Sequence, residues 1–209
     1  MLKPIHEYAL LGGRNRASIG RLISSIAAAV SGVATFVILA ADDVAKQFGW
    51  NHNVPPLVMS LAGAGAVYAG LYWLFDQHVW KLELVRAWLR VPCIAGKWKV
   101  AGETLNQDKS VRFTWDADMT IQQSWDRIRV HLKTRQSGSF SISAALVHDV
   151  EGPLLMYNYQ NEPNIDEREL AVHRGFAELK FSDDLQTARG EYFNGQGRLT
   201  FGTMNLTRV

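Results

Sequence analysis

The residues richest in binding chemistry fall in the last quarter of the chain: Tyr157, Tyr159, Asn161, Arg174, Tyr192, Thr203 and Asn205. Tyrosine rings stack on planar groups or cap pockets, and an arginine fork fits a phosphate. Asn and Thr side chains offer short donors and acceptors that read a ligand's edge. The candidate ligand-binding set is therefore Arg174, Tyr159, Tyr192, Tyr157, Thr203 and Asn205. Bond-breaking chemistry has no comparable signature. Nucleophile-elbow, P-loop, His-Glu-x-x-His and dinucleotide fingerprints are all missing from the sequence. His131, His148 and His173 show no metal-ligand spacing, and Asp116 with Asp118 reads as a solvated strand face. The single cysteine, Cys93, excludes a disulfide framework and a multi-cysteine metal site. The expectation is a binding protein, not an enzyme, with no metal and no cofactor.

Those residues need strands to hold them. From Gly96 onward apolar and polar side chains alternate, which marks half-buried strands. Gly96-Lys97-Trp98 opens the first. Trp115, Ala117, Met119 and Ile121 form the inner face of the second, and Ile128, Val130 and Leu132 that of the third. In the fourth, Phe140, Ile142, Ala144 and Leu146 read as the inner face, with Ser139, Ser141 and Ser143 outside. Four more follow: Leu154–Gln160, Gly175–Phe181, Thr187–Phe193 and Arg198–Arg208. Turn residues sit at Gln136-Ser137-Gly138, Glu151-Gly152-Pro153, Ser182-Asp183-Asp184 and Asn194-Gly195-Gln196-Gly197. Glu162–Leu170 interrupts the series as a charged loop or a cover over one end. Eight short strands joined by hairpin turns hide their edges best by closing into a small antiparallel, up-and-down, lipocalin-like β-barrel, wide enough for one small ligand.

The first part of the chain is a different material. Leu22 to Ala41 is 20 residues without a charge, and Leu57 to Phe75, bounded by Asp76, is 19 more. A helix of about 20 apolar residues crosses a bilayer's hydrocarbon core. The expected fold class is thus membrane α plus all-β, with a two-helix transmembrane hairpin preceding the barrel. The domains would be 1–21, a cytoplasmic N-terminal segment; 22–75, the hairpin; 76–95, a connector helix ended by Pro92; and 96–209, the barrel. Basic residues flank the spans at Lys3, Arg14, Arg16 and Arg21 and again at Lys81, Arg86 and Arg90, which predicts both termini in the cytoplasm. Trp50, Trp73, Trp80 and Trp88 suit interfacial anchors. Small residues recur every fourth position at Gly20, Ser24, Ala28 and Gly32, and at Ala62, Ala66 and Gly70. Such rows let helices approach closely, foremost the hairpin's own two. No charge lies inside either stretch, which argues against a transporter. A formal net charge of +2 gives no field for binding a nucleic acid polymer.

This layout resembles the transmembrane β-barrel effectors of bacterial CBASS anti-phage systems. The likeness rests on two spans followed by a barrel that begins Ile-Ala-Gly-Lys-Trp, contains His173-Arg174-Gly175 and ends Gly-Arg-Leu-Thr-Phe-Gly-Thr-Met-Asn-Leu. It implies an inner-membrane protein whose barrel binds a cyclic dinucleotide made by a cognate nucleotidyltransferase. Binding would drive homo-oligomerisation among membrane lipid, disruption of the membrane and growth arrest or death of the infected cell. Two other classes stay open from the residues: a membrane-tethered carrier of an apolar ligand, suggested by the Gly-x-Trp start, and a structural docking module.

Overall fold

Alternating side chains from Gly96 onward do fold into strands, eight of them after that point. The computed structural model describes residues 5–49, 56–149, 152–167, 171–195 and 198–209. The expected anchor Trp50, its loop neighbours, and Glu151, Gln196 and Gly197 of two expected turns lie outside these. The chain divides into two units, one of Arg14–Leu82 and one of the residues up to Gly13 with Glu83–Val209.

In the second unit the strands are β1 (His6–Leu11), β2 (Gly96–Leu105), β3 (Val111–Gln123), β4 (Arg127–Lys133), β5 (Ser137–Asp149), β6 (Gly152–Pro163), β7 (His173–Phe181), β8 (Thr187–Asn194) and β9 (Phe201–Arg208). They close into a barrel in the order β1-β4-β3-β2-β9-β8-β7-β6-β5. From β2 to β9 each described strand pairs antiparallel with its sequence neighbour, and β9 returns to β2.

The N-terminal segment was expected to stand apart at 1–21. Instead β1 is part of the barrel wall. β4 and β5 pair directly only from His131↔Phe140 to Lys133↔Gly138. Beyond that they diverge, and β1 fills the seam, antiparallel to β4 at His6↔Ile128 and parallel to β5 from Tyr8↔Ala144 to Leu11↔Val147. Tyr8 is buried and its hydroxyl accepts from Gln123 Nε2 at 3.4 Å. Gln123 also donates to Pro92 O at 3.1 Å and accepts from Ile94 N at 2.9 Å, so one side chain ties β1 and the strand-entry segment to β3.

The inner faces of the second and third expected strands are correct. The fourth is inverted over its first half. Ser137, Ser139 and Ser141 are buried, whereas Ile142 is exposed. An extra residue between Ser141 and Ser143 then shifts the register, so that Leu146 turns inward. A bulge of this kind is the ordinary way for one strand to change face. At this end of the barrel Trp98 meets Phe181 edge-on, with ring centroids 5.3 Å apart. The Arg208 guanidinium lies 5.3 Å from the Trp98 ring and bonds Ala95 O.

The helical unit departs from a bare hairpin with one continuous connector. There are three α-helices, α1 (Arg16–Gln47), α2 (Pro56–Gln77) and α3 (Glu83–Leu89), the last belonging to the barrel unit. Asn15 caps α1 by accepting from Ala17 N at 2.7 Å. Between α2 and α3 lie a single 3-10 turn, Val79–Lys81, and an extended Leu82, which break the expected helix. Among the described residues one helix, Arg16–Val44, is long and apolar enough to cross a membrane. Its buried row is Ile23, Ala27 and Ser31, and a Cβ added at Gly63 of α2 would lie 3.3 Å from Ser31 Oγ. The small row Ser24, Ala28, Gly32 is exposed instead, and a Cβ at Gly32 or Gly70 would meet nothing within 4 Å. Those rows therefore do not pack the two helices together. Ala62's side chain lies outside the described set. Trp73 and Trp88 are exposed, as anchors should be, while Trp80 is fully buried.

Because β1 fills a seam, removing its one buried aromatic is costly. Large-to-small changes of buried aromatic residues cost about 3–5 kcal/mol, and Tyr8→Ala is expected near the lower figure. Urea denaturation of the detergent-solubilised protein, followed by tryptophan fluorescence, measures this. A loss below about 1 kcal/mol would show that β1 docks loosely.

Candidate ligand-binding site inside the barrel

Alternation aims every second side chain inward, so the contents of the barrel follow from strand phase. The half entered from Val91 is filled by apolar groups, among them Trp98, Met119, Ile121, Ile128, Leu155 and Leu179. The other half is open. Its cavity, counted with its mouth, has an empty volume of about 740 Å³ and is lined by residues of β2–β9 and the loops at their ends.

One wall is aromatic. Tyr157, Tyr159 and Tyr192 are buried side chains of β6 and β8, and Trp115 faces them from β3. Trp115 and Tyr192 meet edge-on at 5.7 Å, and Tyr157 and Tyr159 lie 6.0 Å apart. Two of these rings lie over the glycine paired with them across the sheet. A Cβ at Gly102 would come within 2.2 Å of the Trp115 ring, and one at Gly175 within 2.4 Å of the Tyr159 ring. Glycine at these two places lets the rings fold flat against the wall. The hydroxyls are held too. Tyr192 bonds Thr104 Oγ1 at 2.7 Å and accepts from Trp115 Nε1 at 3.3 Å. Tyr159 donates to Asn194 Oδ1 at 2.8 Å, and Asn194 Nδ2 donates to Thr200 Oγ1 at 2.7 Å.

Next to the tyrosines of β6 the wall is polar, formed by Ser137 and Ser139 of β5 with Asn161 of β6 and His173 of β7. Arg198, in the loop before β9, brings a permanent positive charge to the lining. Among the described residues no aspartate or glutamate lines the cavity. Among the described residues no carboxylate pairs with Arg198. Burial pushes the Tyr157 and Tyr159 hydroxyls well above the ordinary tyrosine value; for Tyr159, Tyr192 adds to this and the charge of Arg198 opposes it. Both rings stay neutral. The cavity is thus a weakly cationic chamber with aromatic faces, suited to an anion that carries flat rings. Among the described residues no group of three or more potential metal ligands occurs.

Of the sequence-derived candidates, the barrel brings Tyr157, Tyr159 and Tyr192 together in this cavity. Arg174 does not join them: it is exposed on β7, out of phase with the inward His173 and Gly175. Thr203 and Asn205 alternate with the buried Gly202, Met204 and Leu206, so they face outward; Asn205 borders a shallow outer groove with Lys99 and Asp118. The cation that sequence reasoning missed is Arg198, hidden because residues 198–200 were read as strand rather than loop. Trp115, Ser137, Ser139 and His173 were missed as lining residues; for the serines the signal, a bulge, leaves no mark in the composition.

The comparisons with known proteins agree with this division. Residues 89–208 match the family model described as the Cap15 cyclic dinucleotide receptor domain, and residues 17–81 match that of the Cap15 TM helices. The chain belongs to the Cap15 family. A relative from Yersinia aleksiciae, CD-NTase-associated protein 15, is 42% identical over 205 residues, covering 98% of this chain and 97% of its own. The resemblance to the CBASS effectors therefore holds over the whole chain, and the family match together with the apolar α1 makes this a membrane protein. In Cap15 terms the barrel corresponds to the receptor domain.

Two neutral tyrosines inside the barrel have a consequence at high pH. Their folded-state pKa is raised, so above the ordinary value of about 10 the folded chain holds protons that the unfolded chain gives up. Stability should then fall as pH climbs past that value. A spectrophotometric titration should find at least two of the six tyrosines ionising only as the barrel unfolds. Six tyrosines titrating together in the folded protein would show the cavity to be water-filled to its floor.

Proposed function

We propose that this chain is an anti-phage CBASS effector that binds a cyclic dinucleotide in the barrel cavity and, once loaded, assembles in the inner membrane and disrupts it. The observation that carries the reading is a cavity with neutral aromatic faces and a cation, with no carboxylate among its described lining residues. A cyclic dinucleotide carries two phosphates and two base faces, which match the cation and the aromatic faces. Arg198 takes a phosphate, and Trp115, Tyr157, Tyr159 and Tyr192 border the bases. No reaction is catalysed; the cavity holds and senses. An apolar cargo would leave the Asn161 carbonyl oxygen and Arg198 without partners, which disfavours the carrier reading.

The ligand would come from a cognate nucleotidyltransferase. Two spans, α1 and α2, with basic flanks at Arg14, Arg16 and Arg21 and at Lys81, Arg86 and Arg90, put both termini in the cytoplasm where such a ligand is made. Isothermal titration of the detergent-solubilised chain with cyclic dinucleotides tests the pocket. A lost charged hydrogen bond costs about 1.5–3 kcal/mol, so Arg198→Ala should weaken binding roughly 10- to 150-fold. Arg174→Ala, on the outer wall, should leave affinity within about twofold. Equal losses in the two variants would point to a general field rather than a pocket contact.

Assembly would use the small-residue faces that the two helices leave open. Space around Gly32 and Gly70 within one chain means that leucine fits there without disturbing α1 against α2. Between chains the same leucine blocks close approach. Gly32→Leu or Gly70→Leu should keep membrane localisation and ligand affinity but abolish synthase-dependent growth arrest and dye entry. Killing at the wild-type rate by variants that localise normally would remove these faces from the mechanism.

A further inference from the structure

We propose that Asn161 reads an N–H donor on a base of the bound nucleotide, through a carbonyl oxygen that the barrel wall keeps open for it. The proposal rests on the cavity being a cyclic dinucleotide site. Asn161 is nine-tenths buried, 9% exposed, and its side chain lines the cavity. Its Nδ2 donates to Ser137 Oγ at 2.9 Å. Ser137 Oγ also lies 3.2 Å from Thr134 Oγ1, which donates to Ser137 O and accepts from Gln136 N and Ser137 N. With Nδ2 on Ser137, Oδ1 is buried and has no hydrogen-bond partner among the described residues. A buried acceptor without a donor is rare and costly.

The surroundings say what kind of donor is wanted. Asn161 pairs across the sheet with His173, whose Nδ1 lies 3.0 Å from Ala171 O. A phosphate brings no donor to such a spot. On the same face of β6, Tyr159 and Tyr157 precede Asn161 by two and four residues, and a base stacked on a tyrosine lies edge-on to the next inward side chain. The ring N–H or amino group of a base is the donor that geometry delivers.

The test uses the full chain in detergent with c-di-AMP, c-di-GMP and c-di-UMP, and with an analogue of the tightest binder whose base N–H groups are fully methylated. Asn161→Leu, close in size but without the acceptor, should weaken the parent nucleotide about 10- to 100-fold. The methylated analogue should bind the wild type poorly and Asn161→Leu no worse. Ser137→Ala frees the amide to turn, and a several-fold loss confined to the parent nucleotide gives the same comparison should Asn161→Leu fail to fold, which its melting temperature reports. Equal weakening of parent and analogue by these variants overturns the proposal. So does a loss that tracks 2′-O-methylation of the ribose instead of methylation of the base. If the wild type binds none of the three nucleotides, the ligand reading itself falls, an outcome distinct from binding that ignores Asn161.

Discussion

Between Ser141 and Ser143 the fifth strand gains one residue against β6, and the division of the barrel into a wet half and a dry half depends on it. Strand alternation cannot be inverted within a run except by such an addition. Before it, Ser137, Ser139 and Ser141 face in; after it, Leu146 does. Without the bulge Phe140 and Ile142 would fill the space that the serines leave open. The same residue manages the parting of β4 from β5. Where their ladder stops, Ser141 Oγ accepts from Val130 N at 2.9 Å and bonds His6 Nε2 at 2.7 Å. One hydroxyl thus replaces a missing backbone partner and anchors the start of β1. Bulge, seam and inserted strand are a single solution to one local problem.

The dry half supplies the stability that the wet half gives up. Burying a large apolar side chain contributes about 1.5–3 kcal/mol, and Trp98, Met119, Ile121, Ile128, Leu155 and Leu179 are essentially sealed from solvent. The other half keeps an open chamber, an acceptor without a donor and a cation without a carboxylate. Groups left in that state weaken a fold unless something from outside completes them. The barrel tolerates this because its two ends do different work.

Much of this was legible in the residues. Eight strands, the Ser182-Asp183-Asp184 turn and the inner faces of β3 and β4 follow from period-two alternation, and the tyrosines at 157, 159 and 192 share the phase that points inward; the turn expected at Gln136-Ser137-Gly138 falls earlier, because Ser137 already opens β5. Strand closure is forced by edges that need partners. What escaped reading has a physical cause in each case. His6–Leu11 is too short and too weakly alternating to stand out, and its partners lie more than a hundred residues away. The β5 bulge is a backbone event with no composition of its own. Arg174 and Arg198 are equally plausible cations in sequence, and only strand phase and loop position separate outside from inside. On α1, every-fourth-residue spacing fits the row Gly20-Ser24-Ala28-Gly32 and the adjacent row through Ile23, Ala27 and Ser31 alike, and the choice between them is made by packing.

The strand at the N-terminus also changes how the barrel is tethered. The chain passes between its two units twice, at Gly13–Arg14 and again at Leu82–Glu83. A domain on one thread swivels about a few single bonds, and its orientation averages out. On two threads free rotation ends, because continued turning would wind one thread around the other. Here one of the two threads continues into a strand hydrogen-bonded into the barrel wall, in the seam between β4 and β5.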